Sequence, residues 1–254
     1  MKIYPSFRYQ LRDQRGAILV YYGVLVCMIL VSLAAMPFLS AEGGDFVSTN
    51  GVTAVTLVFA FVLSLCAFKE SFLMNLQHGV SRRSQFLARL GAMGAACAVM
   101  AVADEIYTLL VGALHFVFPN NFNGNSLYEM TYCSTPAADG FYVQSSIATV
   151  LLSVVFSFFL LLAVCSLGYL IAVFMYRLHK MGKIIFWAGT PILFILLSSY
   201  LAAYPALQEK VLQFIVDAAR MCCSSLPRIS ITCTLLAVLF STLAWLLMRR
   251  AAVK

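Results

Sequence analysis

Long apolar runs separated by short polar breaks are the dominant pattern of this chain. Ala17–Ala41 stays nearly uncharged over about 25 residues, more than the roughly 20 a helix needs to cross a bilayer. It also exceeds the roughly 7–15 residues of a signal-peptide core, so it reads as a retained first span, although Ser40-Ala41 has the small side chains of a weak cleavage site. Gly51–Ala67 is a second run, and Phe86–Phe118 is a third, broken by Arg89, Asp104, Glu105 and His115. Tyr142–Met175, Ile184–Tyr204 and Ile229–Met248 complete six. At about 1.5 Å per residue the third run reaches nearly 50 Å, so it must tilt or project. The pattern predicts an all-α, polytopic membrane protein in which residues 1–254 form a single six-span domain.

Three polar or mixed stretches have internal order. Within residues 1–16, Phe7 and Leu11 lie four apart while Arg8, Arg12 and Arg15 occupy another face, the spacing of an interfacial helix on anionic headgroups. Phe68–Leu90 holds Lys69, Glu70, Asn75, Gln77, His78, Ser81, Arg82, Arg83, Ser84, Gln85 and Arg89. Phe68, Phe72 and Leu76 recur four apart as one apolar stripe. Gly79 can end that helix in a left-handed conformation and Ser81 can cap the next. The result expected is a helix-turn-helix lying on the membrane surface. The third stretch, Pro205–Pro227, places Leu207, Val211, Phe214, Ile215 and Ala218 at helical spacing, with Glu209, Lys210, Gln213, Asp217 and Arg220 elsewhere. That is an amphipathic helix, either resting on the outer surface or dipping into the outer leaflet as a protein-lined re-entrant element.

Composition agrees with the apolar pattern. Hydrophobic residues make up 62% and charged residues 11% of the chain, with mean hydropathy +0.92, against roughly 25% charged for a soluble domain. All but three of the 17 Lys and Arg residues fall on one side of the six spans, and the exceptions are Lys210, Arg220 and Arg228. Positive residues remain in the cytoplasm, which places both termini and Phe68–Leu90 there and makes Pro205–Pro227 external. The same clustering beside apolar runs explains the net charge of +7 without nucleic acid as a partner. No fixed-period repeat, no low-complexity tract and no inverted halves of the secondary-transporter kind are visible.

This arrangement resembles the membrane-spanning subunits of type-2 ATP-binding-cassette (ABC) exporters. Shared features are an interfacial helix before span one, six spans, a coupling helix between spans two and three (residues 68–86 here) and a helical hairpin between spans five and six. Phe68, Glu70, Asn75, His78, Gly79, Val80, Ser81, Arg82 and Arg83 carry the local likeness, because Gly-Val-Ser-Arg after an amphipathic helix is similar to the turn of many bacterial members, and Phe72 and Leu76, which lipid orientation does not explain, join them in the expected docking surface. The resemblance implies a permease subunit in a bacterial plasma membrane, paired with a second permease subunit as a homo- or heterodimer. It also implies a separate ATPase subunit that binds ATP and Mg and docks on the coupling segment. The chain has no G-x-x-x-x-G-K-[ST] phosphate loop, so no cofactor and no ATP chemistry are expected in it.

Arg82 and Arg83 sit where the dipole of the following helix disfavours cations by about 0.3–1 kcal/mol each. Anionic lipid or an acidic groove on the partner would offset that cost. Asp104 and Glu105 are the one acidic pair inside a long apolar run. Span three is long enough to hold them near its outer end, in water; otherwise they line a route for a cationic or amphipathic substrate. Adjacent residues point about 100° apart on a helix, so the two need not share a pocket. Cys27, Cys66, Cys97, Cys165 and Cys233 fall in spans as small packing residues. Cys133 with Cys222 or Cys223 could bridge two outer segments in an oxidising exterior. His78, His115 and His179 are scattered and no C-x-x-C occurs, which offers no metal site. Absence of H-E-x-x-H and G-x-S-x-G argues against a membrane hydrolase. A proton-coupled secondary transporter built on Asp104 and Glu105, and a membrane sensor or immunity protein, are the alternatives to the exporter.

Overall fold

Apolar runs this long bury no backbone polar group unpaired only if they are helical, and the chain obeys that constraint. The computed structural model describes residues 3–39, 47–48, 52–117, 122–123, 125–132 and 146–249. Eight helices occur among them: α1 (Ile3–Leu39), α2 (Val52–Gln77), α3 (Arg82–Val117), α4 (Leu127–Tyr132), α5 (Ile147–Arg177), α6 (Lys180–Ala203), α7 (Pro205–Cys223) and α8 (Leu226–Arg249). All but α4 and α7 are long and apolar enough to cross a membrane. Val47–Ser48 pairs in parallel with Phe122–Asn123, the single extended pairing among the described residues.

Helix α5 is the hub, packed against α2, α3, α4 and α8, while α1 lies along α3. Small residues set the approach of these helices, since packing in lipid relies on close backbone contact. Ala60, Ala96, Cys97, Ala101 and Cys165 are all buried in the cluster joining α2, α3 and α5. A side chain at Gly168 would meet Phe61 O at 2.8 Å, so α2 and α5 can touch there only with glycine. A second cluster joins Phe68 and Phe72 of α2 to Tyr169, Ala172 and Val173 of α5 and to Ala244 and Met248 of α8. Helix α6 differs from the rest. Its apolar window buries nothing, and Leu193, Phe194 and Leu196 are each about two-thirds exposed.

The structure corrects the expected geometry at two of the ordered stretches. The basic N-terminal segment does not form a separate surface helix: it continues into the first apolar run as one 37-residue helix. A repeat of four keeps Ser6, Gln10 and Gln14 on one buried face while Arg8, Arg12 and Arg15 remain exposed. Likewise, α2 runs unbroken through Phe68 to Gln77. The stretch after span two is therefore an extension of the span rather than a helix laid flat. At the third stretch the expected amphipathic helix is present as α7, with Tyr204 before it and Ser224-Ser225 after it.

Candidate functional site

The α2–α3 elbow is built by local chemistry. Gly79 has φ +68°, the left-handed region that favours glycine. Val80 N donates to Asn75 O at 3.0 Å and His78 N to Met74 O at 3.2 Å, closing the carbonyl end of α2 in a Schellman turn. Ser81 Oγ then accepts from Ser84 N at 3.2 Å, and Ser81 O accepts from Gln85 N at 3.0 Å, which caps α3. Gln77, His78, Gly79, Ser81 and Arg83 are exposed around this turn, and Glu70 is exposed farther back along α2.

Not every residue assigned to partner docking is free to dock. Phe68 and Phe72 are buried, Phe72 completely. Their rings lie 5.2 Å apart, and the ring of Tyr176 is 5.7 Å from the first and 5.3 Å from the second. Because α2 stays straight, its four-residue aromatic stripe keeps facing α5 and α8 beyond the apolar run. Asn75 is buried too, accepting from Ser6 Oγ at 2.9 Å and donating to Ser71 O at 2.7 Å. These three residues fasten the elbow to the bundle. Only the backbone of Leu76 is described, as part of α2. Arg82 also has an internal role: its Nη1 donates to Arg249 O at 2.9 Å. The carbonyl end of α8 thus supplies the negative dipole that offsets the unfavourable one of α3. Arg83 has no such contact and is exposed.

Asp104 and Glu105 are 2% and 5% exposed, which overturns their placement in water. As the 100° offset requires, they face different neighbours. Asp104 Oδ1 lies 2.8 Å from the Tyr22 hydroxyl of α1 and 2.8 Å from Thr56 Oγ1 of α2. Thr56 Oγ1 is also 2.8 Å from the Tyr21 hydroxyl. Glu105 Oε2 accepts from Ser153 Oγ of α5 at 2.7 Å. Asp104 Oδ2 has no hydrogen-bond partner. The Tyr22 hydroxyl lies 2.9 Å from Met100 O as well, so one proton faces two acceptors.

The chain matches no family model, no curated protein and no solved structure. Its site is therefore read from its own geometry.

Other candidate residues divide by placement. Cys97, Cys165 and Cys233 are buried, as packing residues should be, but Cys27 and Cys66 are exposed. Cys222 and Cys223 are free and exposed, and Cys133 lies outside the described residues, so the expected bridge is not among the contacts seen. Among the described residues no three His, Cys, Asp or Glu side chains form a metal-binding group. Two features were not anticipated. A groove of about 960 Å³ between α2, α5 and the start of α6 is walled by Leu65, Phe68, Tyr176 and Trp187, with His179 and Lys183 among its lining residues. Arg89 lies fully within the bundle beside Gln10, Gln85 and Tyr169. The buried repeat Ser6, Gln10, Gln14 was the available signal for that second feature, obscured by the basic residues between its members.

Proposed function

We propose that the chain is the permease subunit of an ATP-driven ABC exporter, coupled to a separate ATPase subunit that binds ATP and Mg. The observation that carries this reading is the elbow: a capped, exposed turn whose base is held to α5 and α8 by Phe68 and Phe72 and to α1 by Asn75. A partner that pushed on His78, Gly79, Ser81 and Arg83 would move α2 and α3 together with the three spans they are tied to, the rigid-body change an energy-coupled transporter needs. In this reading the aromatic stripe transmits force rather than receiving the partner. A second permease subunit, identical or related, covers the bare apolar faces of α6. The groove between α2, α5 and α6, apolar with basic residues at one end, offers an amphipathic substrate a lateral way in.

The test uses residues that the fold does not require. Arg83→Glu with His78→Ala should leave membrane insertion at wild-type levels and lower co-purification of an ATPase subunit by about tenfold, as loss of an electrostatic contact does. Wild-type co-purification would remove the elbow from the docking surface. The Asp104 cluster favours a second reading, a proton-coupled secondary transporter: a carboxyl with one unbonded oxygen, beside a hydroxyl with two acceptors, is equipped to exchange a proton.

A further inference from the structure

Arg89 is the most anomalous side chain among the described residues. It is 3% exposed, and its Nε, Nη1 and Nη2 are all buried without a hydrogen-bond partner. It sits on α3, two turns in from the elbow, inside a helix long and apolar enough to span a membrane. The groups around it come from four helices and none is acidic: Gln10 of α1, Ser71 of α2, Gln85 of α3 and Tyr169 of α5. The Arg89 Cζ atom lies 5.8 Å from the centre of the Tyr169 ring, a cation–π contact that softens the charge without cancelling it. Asp13, the nearby acid of α1, is exposed. A buried guanidinium without a counter-charge requires one, because burial penalises an unpaired ion heavily.

We propose that Arg89 is the centre of a binding site for one small monovalent inorganic anion, chloride in size and charge, lined by α1, α2, α3 and α5. The space beside the guanidinium is about 10 Å³, enough for one water-sized guest. Chloride is only slightly larger than a water, whereas sulfate, phosphate and carboxylates are several times that size. The amides can serve both partners. Gln85 Nε2 donates to Ser71 O at 3.4 Å, which leaves its unbonded Oε1 to accept from the guanidinium. Gln10, which lines the same space, also has an unbonded Oε1. Each amide can turn over and present its N–H groups to the anion. Carbonyl oxygens or a water alone would satisfy the guanidinium N–H groups but would leave its positive charge beside Ala67 and Phe68. The anion supplies what they cannot. This site does not depend on the exporter reading.

Radioactive chloride-36 measures it directly on the full chain purified in detergent. About one chloride per chain should be retained. Bromide should displace it, whereas sulfate and gluconate at equal ionic strength should not. Folded Arg89→Gln, verified by gel filtration, should retain only background. Three outcomes overturn the site: no retention by the wild-type chain, displacement by sulfate as effective as by bromide, or wild-type retention by Arg89→Gln. If Arg89→Gln fails to fold, the competition between halide and sulfate on the wild-type chain decides.

Discussion

Phe72→Ala should lower the stability of the purified chain by about 3–5 kcal/mol, the usual cost of emptying a buried aromatic site. Phe72 is completely buried and touches the rings of Phe68 and Tyr176, so its removal opens a cavity where α2 meets α5 and α8. Thermal or denaturant unfolding in detergent reads the effect, with Arg83→Ala, at an exposed position, keeping the wild-type midpoint. The opposite pattern would return the aromatic stripe to the docking surface: a wild-type midpoint for Phe72→Ala together with loss of partner binding. The prediction separates two roles that one stretch of sequence combines. Some residues hold the elbow to the bundle, and others face outward from it.

Asp104→Asn combined with Glu105→Gln should have the reverse signature, a small change in stability and a large one in transport. The neighbouring hydroxyls keep acceptors without the Asp104 carboxylate, since Tyr22 lies 2.9 Å from Met100 O and Thr56 Oγ1 lies 3.2 Å from Val52 O. Glu105→Gln keeps an amide oxygen in reach of Ser153 Oγ, and the cost of burying new amide N–H groups is offset by no longer burying two carboxylates, so stability should change by no more than about 1–2 kcal/mol. Efflux of a fluorescent amphipathic dye from loaded cells should fall to background. Unchanged efflux would remove the pair from the route, and a collapse in stability would make the two carboxylates structural.

The parts of this fold that were legible in the sequence depend on short-range physics. Six apolar runs define six helices because unpaired backbone is too costly in hydrocarbon. Gly79 and Ser81 mark the elbow because a left-handed residue and a hydroxyl cap act within one turn. What was not legible depends on which elements meet. The Phe68 and Phe72 stripe has the same spacing whether it faces a partner or α5. Arg82 finds its carbonyl on Arg249, 167 positions away. Asp104 and Glu105 look alike in sequence, yet the first faces α1 and α2 and the second faces α5. Periodicity fixes a face but not its neighbour: the Ser6, Gln10 and Gln14 repeat marks a buried polar face, and only the fold puts Gln10 beside Arg89.

In the proposed exporter, energy enters this chain through a partner at the α2–α3 elbow. Affinity purification of the tagged chain from its native membranes, followed by assay of Mg-dependent ATP hydrolysis in the eluate, tests it most directly. The account predicts a co-purifying ATPase subunit whose activity in the eluate falls with Arg83→Glu and His78→Ala. A pure, monodisperse chain that carries no ATP-hydrolysing partner would contradict it.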